Sequence, residues 1–288
     1  DLPVSAFSPS EGVVTSIWFS IRGFTQPGDG VLVFTPVYDP FFAVINNQGR
    51  KQVDCPLVYS EGRYTIDWED LEKKLAGGDV KAMIFCNPHN PTGHVWSKEE
   101  MIAVVELCDK YGMLICSDEI WADFQTGGHK HVPLHTCCPR AKEIVFSMYA
   151  PSKTFNLAGL QASTTIFPNL RMKADFDRYW SSMDIHRNNA FSSVAIEAAY
   201  REGREWLDQL LPYLSANFDF VKEYCEKNIP QIKPNIPDAT YLVWLDCRDL
   251  GMSNEELRKF MIEKAKIGLN EGYTFGRSLT GFMRLNVA

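Results

Sequence analysis

The sequence contains no apolar run that approaches the length of a membrane span, and it contains no stripe of basic residues. A membrane-spanning helix needs roughly 20 consecutive apolar residues. The 29 basic residues are outnumbered by 36 acidic ones, which gives a formal net charge of −7. We therefore expect neither a membrane nor a nucleic acid as a partner, because no feature of the sequence would attract either one.

The eight cysteines show no C-x-x-C spacing. Cys86, Cys108 and Cys116 lie inside apolar runs, where a free cysteine behaves as a small hydrophobic residue. Cys137 and Cys138 could form a metal or redox pair, although a reduced pair in a loop is the preferred interpretation. This usage favours a reducing cytoplasm over a disulfide-stabilised exterior.

The composition is typical of a globular protein: of the 288 residues, 45% are hydrophobic and 23% are charged. A chain of this length can bury a full core and form about two domains. We expect a large domain over residues 1–190, followed by a linker helix and a smaller domain over residues 191–288. No internal repeat or low-complexity tract interrupts either part.

Hydrophobic periodicity and capping signals predict helices and buried strands along most of the chain. Helices are predicted over residues 14–21, 41–47, 68–75, 97–111, 169–186, 192–227 and 253–264. Strands are predicted over residues 31–34, 51–58, 80–86, 113–116, 144–149, 162–167, 241–245 and 282–288. Residues 8–12 (SPSEG) are interpreted as a polar loop that leads into the first helix.

Three polar residues follow buried strands, at the sheet edge where open α/β folds bind ligands. Lys153 follows the strand at 144–149, Asp118 closes the strand at 113–116, and Asn90 lies in a turn after a third strand. A buried lysine can lose its proton and attack carbonyl carbons. Lys153 and Asp118 also have ordinary interpretations, as a surface lysine and a loop-capping acid, whereas turn formation explains Asn87 but not Asn90.

Four motifs resemble those of fold-type I pyridoxal phosphate (PLP) enzymes. They are GDGV at 28–31, PVYDPF at 36–41, CNPHNPTG at 86–93 and SKTFN at 152–156. The finer pattern resembles the PatB/MalY group, the cystathionine or cysteine S-conjugate β-lyases within the aminotransferase family, from about Ser8 to the last residue. The resemblance implies an α/β fold with a mixed, mostly parallel sheet flanked by helices, and a smaller C-terminal α/β domain.

The resemblance implies a role for each of four polar residues. Lys153 would carry PLP covalently and then act as the general base on the substrate's α-proton. Asp118 would keep the pyridine nitrogen protonated, so that the ring withdraws electrons from the α-carbon. Asn90 would bind the cofactor's phenolic oxygen and contribute to the substrate site. Arg284 would clamp the substrate's α-carboxylate, although a structural ion pair is its ordinary interpretation.

The resemblance also implies contacts to the cofactor's phosphate and ring. The backbone of Gly12, Val13 and Val14 would bind the phosphate, because a helix N-terminus presents free N–H groups and a positive dipole end. A simple helix cap is the ordinary interpretation of this stretch. Ser152 would add a hydroxyl to the phosphate site, although it could equally be a loop hydroxyl. Tyr38 would stack on the pyridine ring, although a half-buried packing residue is its ordinary interpretation.

Two places depart from the family pattern. Trp121, which the resemblance places at the cofactor, stands where the family usually has histidine or tyrosine, and this bears on leaving-group selectivity. Residues 160–163 (LQAS) contain no cation, whereas the family often has arginine or lysine shortly after the PLP-bearing lysine. Phosphate binding would then depend on backbone N–H groups, on Ser152, and on a residue of either a missing segment or the partner subunit.

The reaction implied by the resemblance is β-elimination from cystathionine or another cysteine S-conjugate, which yields a thiol, pyruvate and ammonia. Two alternatives stay open: an aminotransferase that uses the same residues, and a PLP-binding regulator or inactive fragment. The implied assembly is a homodimer with a shared active site, acting on small amino-acid substrates. The chain is expected to be truncated at both ends, since the family motifs normally lie well inside a longer protein.

Overall fold

The computed structural model describes residues 2–184 and 189–288. Within these ranges no helix is both long and apolar enough to cross a membrane. The α-helices are α1 (Val13–Phe24), α2 (Pro40–Asn46), α3 (Trp68–Ala76), α4 (Lys98–Lys110), α5 (Ala141–Ile144), α6 (Leu170–Ser182), α7 (Ser192–Glu202), α8 (Arg204–Asn228) and α9 (Asn254–Glu263). The β-strands are β1 (Phe7–Ser10), β2 (Gly30–Thr35), β3 (Lys51–Pro56), β4 (Val58–Ser60), β5 (Arg63–Thr65), β6 (Val80–Cys86), β7 (Leu114–Asp118), β8 (Val145–Tyr149), β9 (Ser163–Ile166), β10 (Lys233–Asn235), β11 (Leu242–Asp246), β12 (Asn270–Glu271) and β13 (Phe282–Asn286).

Seven strands form the larger sheet, in the order β1-β9-β8-β7-β6-β2-β3. The strands from β8 to β3 pair in parallel. The other two pairings, of β9 with β8 and of β1 with β9, are antiparallel. The sheet is therefore mixed and mostly parallel, which confirms the fold class predicted from the sequence.

Strand β2, which lies between β6 and β3, shows how this sheet buries both of its faces. Val31 and Val33 join the core cluster that includes residues of α1 and α6. Leu32 and Phe34 join the cluster on the other face, which includes residues of α3 and α4. A strand buried on both faces is apolar at every position rather than at every second one, so the unbroken apolar run at 31–34 predicted it correctly.

A second sheet has four antiparallel strands in the order β10-β11-β13-β12. Its residues Leu242, Val243 and Leu245 form a third core cluster with residues of α8 and α9, including Leu214 and Leu257. Strand β13 lies within the strand predicted over residues 282–288, and it carries Arg284. The domain boundary near residue 190 stays a prediction.

The stretch at residues 8–12 was predicted as a loop, and this was wrong for its first part. Residues Ser8 to Ser10 belong to β1, which pairs with β9 in the register Ser10↔Ser163. The Ser10 and Ser163 hydroxyls hydrogen-bond to each other at 2.7 Å, so these buried polar groups are satisfied. Pro9 is tolerated because β1 is an edge strand.

The single long helix predicted over residues 192–227 is two helices. Helix α7 ends at Glu202 and α8 begins at Arg204. At Gly203 between them, an added Cβ would lie 2.4 Å from the Ala199 carbonyl oxygen and 2.4 Å from the Phe155 ring. Gly203 thus allows the chain to turn closely against Phe155, a contact that helical periodicity alone does not reveal.

Capping signals located several helix starts correctly. Ser97 and Ser253 each form a complete capping box, with Glu100 and Glu256. The helix predicted over residues 169–186 is α6, which ends at Ser182, and positions 185 and 186 of that prediction lie outside the described residues. The strand predicted over residues 51–58 is divided into β3 and β4.

Candidate active site

The carboxyl ends of the central parallel strands open into a cavity of about 400 Å³. Asp118 is the last residue of β7, and the chain reaches Asn90 shortly after β6 and Lys153 shortly after β8. All ten residues predicted for the site line this cavity: Gly12, Val13, Val14, Tyr38, Asn90, Asp118, Trp121, Ser152, Lys153 and Arg284. The fold therefore brings the ten together, while their individual roles stay predictions.

Asp118 lines the cavity and is only 3% exposed. Burial raises the pKa of its carboxyl group to about 7, against the opposing effects of the Ile120 N–H and the nearby Lys153. The Ile120 backbone N–H donates to Asp118 Oδ1 at 3.1 Å. A positively charged group beside this carboxyl would lower its pKa again and favour the ionised form. Asp118 is therefore suited to bind such a group.

Lys153 is partly buried in the same cavity. Burial lowers the pKa of its ammonium group, and the negative charge of Asp118 only partly opposes this. Its Nζ lies 5.8 Å from the centre of the Trp121 ring. The lowered pKa favours the neutral amine, which is the form that can react with a carbonyl carbon or accept a proton.

Arg284 reaches the cavity from β13. Its Nη1 donates to Asn90 Oδ1 at 3.0 Å, and its Nη2 donates to Asn270 Oδ1 at 2.9 Å. The buried Nε has no hydrogen-bond partner within the described ranges. The guanidinium carbon lies 4.6 Å from the centre of the Phe275 ring, which supports it from one side.

The N-terminus of α1 forms another wall of the cavity. Gly12 precedes the helix with φ at +104°, and no side chain caps the free N–H groups of the first turn. The Gly12 N–H itself donates to Ser163 Oγ at 3.1 Å. An added Cβ at Gly12 would lie 3.2 Å from Gln161 Oε1, so glycine keeps this cradle open. Uncapped N–H groups and the helix dipole suit a phosphate.

Among the described residues that line the cavity, Lys153 and Arg284 are the only cations. Ser152 and Gln161, which are close to Lys153 in the sequence, also line the cavity, and neither carries a charge. This agrees with the absence of a cation at residues 160–163. Within the described chain, the cavity wall at the start of α1 and at Gln161 therefore offers backbone N–H groups and neutral side chains.

Sequence reasoning missed several lining residues, among them Tyr241, Asn270 and Asn286. Asn286 is two positions after Arg284 on β13, and the two-residue period of a strand could have indicated it. Asn270 lies opposite Arg284 only because β12 pairs with β13. The Tyr241 ring packs edge-to-face on Trp121, with ring centres 4.8 Å apart, and that tertiary contact left no local signal.

The donor set of the cavity fits PLP. It offers a buried acid for a protonated ring nitrogen, a lysine with a lowered pKa for an aldehyde, an amide for a phenolic oxygen and free N–H groups for a phosphate. Tyr38 and Trp121 supply aromatic surface for a flat ring. The chain belongs to the class I and II aminotransferase family, whose model matches residues 5–288.

Individual relatives place the chain more closely within that family. It is 42% identical over 280 residues to "Cystathionine beta-lyase PatB" of Bacillus subtilis, an alignment that covers 97% of this chain and 72% of that protein. It is 32% identical over 290 residues to "Protein MalY" of Escherichia coli, covering 99% of this chain and 72% of that protein. The resemblance to the PatB/MalY group is thereby confirmed.

Solved structures agree with this assignment. A PLP-bound putative aminotransferase from Clostridium difficile 630 superposes with a TM-score of 0.97 at 39% identity, covering 100% of this chain and 74% of that one. Cystalysin from Treponema denticola, which contains a pyridoxal 5′-phosphate cofactor, gives a TM-score of 0.97 at 37% identity, covering 99% and 73%. These similarities confirm the fold-type I architecture.

Proposed function

We propose that this protein is a PLP-dependent carbon–sulfur β-lyase that acts on cystathionine or another cysteine S-conjugate. The observation that carries the proposal is the convergence of Lys153, Asp118, Asn90 and Arg284 on one cavity. Relatives named cystathionine β-lyase, one of them 42% identical to this chain, support the proposal. The enzyme class, cofactor and reaction inferred from the sequence all agree with these relatives.

The residues of the cavity would hold PLP at three places. Asp118 would hold a proton at the pyridine nitrogen, and Asn90 would donate from its amide to the phenolic oxygen. The free N–H groups at the start of α1 would hold the phosphate. When bound, PLP supplies an electron sink that stabilises negative charge at the substrate's α-carbon.

The chain's own residues then bind and deprotonate the substrate. Arg284 binds the α-carboxylate, and its Nε, which has no partner among the described residues, offers a free donor for that contact. Lys153, whose pKa burial lowers in favour of the neutral amine, removes the proton at the α-carbon. The electron pair left at the α-carbon forms a double bond to the β-carbon, while the bond between the β-carbon and sulfur breaks and its electron pair leaves with sulfur. Lys153 returns a proton to that sulfur, and water hydrolyses the remaining unsaturated amino acid to pyruvate and ammonia.

The direct test is release of thiol and pyruvate from cystathionine in the absence of any keto acid. We expect the PLP-loaded protein to release both products in equal amounts over many turnovers. An aminotransferase, the second candidate, is favoured by the family model and by the solved neighbour described as a putative aminotransferase. It would need a keto acid acceptor for repeated turnover and would release no thiol, so that result would replace the lyase proposal.

The proposal includes a homodimer with a shared active site. Its support lies on α7 with its N-cap residue and on α8, where large apolar side chains are exposed, including Phe191 at 73%, Val194 at 68% and Phe220 at 66%. Exposed apolar surface of this kind commonly marks a protein interface. Light scattering coupled to gel filtration tests this part, and a monomer at working concentration would contradict it.

The proposal also places the enzyme in the cytoplasm. All eight cysteines are free thiols. Most of them are buried, so the fold does not use them as disulfides. Fractionation of cells that express the natural protein tests this placement, and recovery from the exterior would contradict it.

A further inference from the structure

The motif at residues 117–120 (SDEI) contains a second buried acid that the proposed reaction does not use. The Glu119 side chain is 0% exposed. Its neighbour Asp118 lines the cavity, whereas Glu119 does not. An ionised carboxylate is costly to bury unless its oxygens are fully hydrogen-bonded. The groups that surround Glu119 must therefore compensate for its burial.

One carboxylate oxygen of Glu119 binds three donors from three parts of the chain. Glu119 Oε1 accepts hydrogen bonds from Ser117 Oγ at 2.9 Å and from Ser147 Oγ at 2.7 Å. It also accepts from the Leu134 backbone N–H at 3.1 Å. These contacts connect β7, β8 and the loop between them through a single atom.

The other oxygen binds two further donors. Glu119 Oε2 accepts from His131 Nε2 at 2.6 Å and from the Tyr149 hydroxyl. Burial alone would raise the pKa of Glu119, but the contacts with His131, Tyr149 and Ser147 outweigh it and hold the pKa below its ordinary value. Glu119 is therefore an ionised carboxylate whose two oxygens accept five hydrogen bonds.

These bonds join the two strand ends that carry the reactive groups. Asp118 ends β7, and the Glu119 backbone N–H that follows it donates to the Met148 carbonyl of β8 at 2.9 Å. Two of the side-chain donors, Ser147 and Tyr149, belong to β8, from which the chain continues for four residues to Lys153. The Glu119 carboxylate thus ties the strand of the acid to the strand that precedes the lysine.

We propose that Glu119 is a positioning residue that fixes Asp118 relative to Lys153. The inference rests on the proposed function, because it assigns Glu119 to the geometry of the same site. Its carboxylate acts through the backbone and through β8, and it touches neither the cavity nor a bound group. A charged network that is fully hydrogen-bonded specifies one arrangement of its members, whereas apolar packing would allow small shifts. Displacing a catalytic group by about an ångström can cost on the order of a hundred-fold in rate.

The test compares Glu119→Gln with a matched control, Asp246→Asn. Asp246 is also a buried acid, 5% exposed, and accepts hydrogen bonds from Arg248 and Tyr59. It lies on β11 in the other sheet and does not line the cavity. We expect both variants to melt at lower temperature than the parent, because each disturbs a buried hydrogen-bonded carboxylate.

Only Glu119→Gln should alter the site. We expect its kcat to fall by about ten- to a hundred-fold with little change in KM, since substrate binding by Arg284 is untouched. We also expect PLP to attach to Lys153 more slowly, measured by trapping with borohydride and peptide mapping. Asp246→Asn should keep the parental kcat and rate of attachment.

Three outcomes decide the proposal. Parental kcat and attachment rate in Glu119→Gln would overturn it, as would an equal loss in Asp246→Asn, which would make the effect one of stability alone. If Glu119→Gln does not fold, Tyr149→Phe removes one donor and keeps the carboxylate, and it must show a smaller loss of kcat in the same direction. Failure of the parent itself to attach PLP at Lys153 would instead refute the proposed function.

Discussion

Arg284 and Asn90 are 194 positions apart in the sequence, yet Arg284 Nη1 donates to Asn90 Oδ1 at 3.0 Å. Arg284 belongs to the four-stranded sheet, and Asn90 follows a strand of the seven-stranded sheet. This hydrogen bond therefore joins the two sheets at the cavity. Together with Asn270 it orders the guanidinium group in advance, which reduces the conformational entropy lost when a carboxylate binds.

We expect Arg284→Lys to reduce kcat/KM for cystathionine by about ten- to a hundred-fold. Lysine keeps the positive charge but lacks the planar fork that donates two parallel hydrogen bonds to a carboxylate. The loss corresponds to roughly 1.5–3 kcal/mol, the usual contribution of a hydrogen bond to a charged group. Steady-state kinetics would show mainly a raised KM, with a smaller fall in kcat.

Two comparisons test whether the effect comes from binding of the substrate's α-carboxylate by Arg284. Arg258→Lys changes an arginine whose side chain is 56% exposed and pairs with Glu271 away from the cavity, and it should leave the kinetics unchanged. A decarboxylated substrate analogue has no carboxylate for Arg284 to bind, so Arg284→Lys should affect it much less. Equal losses for substrate and analogue would mean that Arg284 has a structural role and that the carboxylate binds elsewhere.

Lys153 should be the residue that holds PLP covalently. Burial lowers the pKa of its amine, and it follows β8 at the edge where the other predicted residues meet. Reduction of the PLP-loaded protein with borohydride should fix a pyridoxyl group on the peptide that contains Lys153, as mass spectrometry would show. Lys173, which is ion-paired with Asp177 on α6, serves as an internal control, and a label on any lysine other than Lys153 would contradict the assignment.

The sequence predicted which residues meet at the cavity where each of them follows a strongly apolar strand. Asp118, Lys153 and the turn with Asn90 all follow such runs, and parallel strands end at the same edge, so local pattern was enough to place them together. The local sequence also indicated Arg284, because an arginine within an apolar strand needs a partner for its charge. The resemblance of the motifs to a known family supplied their chemistry.

The features that the sequence did not predict depend on contacts between distant segments. Strand β1 has the polar composition of a loop, and it becomes a strand only because β9, more than 150 positions later, supplies its partner. Asn270 faces the cavity through the pairing of β12 with β13. The network around Glu119 draws on five donors, and nothing in the local sequence indicated that they converge.

We expect Asp118→Asn to retain PLP but to lose nearly all turnover. A neutral amide cannot keep the pyridine nitrogen protonated, so negative charge at the substrate's α-carbon loses its stabilisation. Loss of one such electrostatic contact typically costs about 10²–10³ in rate. The absorbance of bound PLP and the kcat for thiol release would be measured on the same sample, and a kcat close to that of the parent would refute the role of Asp118.

Asp118 should also make the stability of the cofactor-free protein depend on pH. Burial raises the pKa of Asp118 to about 7 in the folded chain, compared with an ordinary value of 3.8. Between these values the folded protein keeps a proton that the unfolded chain has lost, so the free energy of unfolding falls as pH rises. The slope contributed by Asp118 should reach about 1.4 kcal/mol per pH unit.

Denaturant titrations of the cofactor-free parent and of Asp118→Asn across this pH window would measure that slope. Asparagine does not titrate, so the variant should lose less stability between low and neutral pH than the parent loses. If both proteins show the same dependence on pH, other groups account for it and the carboxyl group of Asp118 is not protonated at the lower end of the window.

Gly93 ends the motif at residues 86–93 and contacts the chain that leads into β11. Its carbonyl oxygen accepts hydrogen bonds from the Asp238 N–H at 3.0 Å and the Ala239 N–H at 3.1 Å. Its φ is +70°, and an added Cβ would lie 2.1 Å from Pro237 Cβ and 2.7 Å from Pro237 Cα. Both the backbone conformation and the close approach therefore require glycine here.

Gly93→Ala should destabilise the protein much more than Gly78→Ala. The Gly78 variant is the control that measures the effect of the backbone conformation alone. Gly78 has a similar φ of +79°, but an added Cβ there meets nothing within 4 Å. A left-handed alanine costs about 1–2 kcal/mol, so Gly78→Ala should lose that much free energy of unfolding. Gly93→Ala should lose this amount and more, because Pro237 must also move, and its displacement should weaken PLP binding through the neighbouring Asn90. Equal losses in the two variants would mean that the segment at 237–239 yields freely and does not hold the Asn90 turn in place.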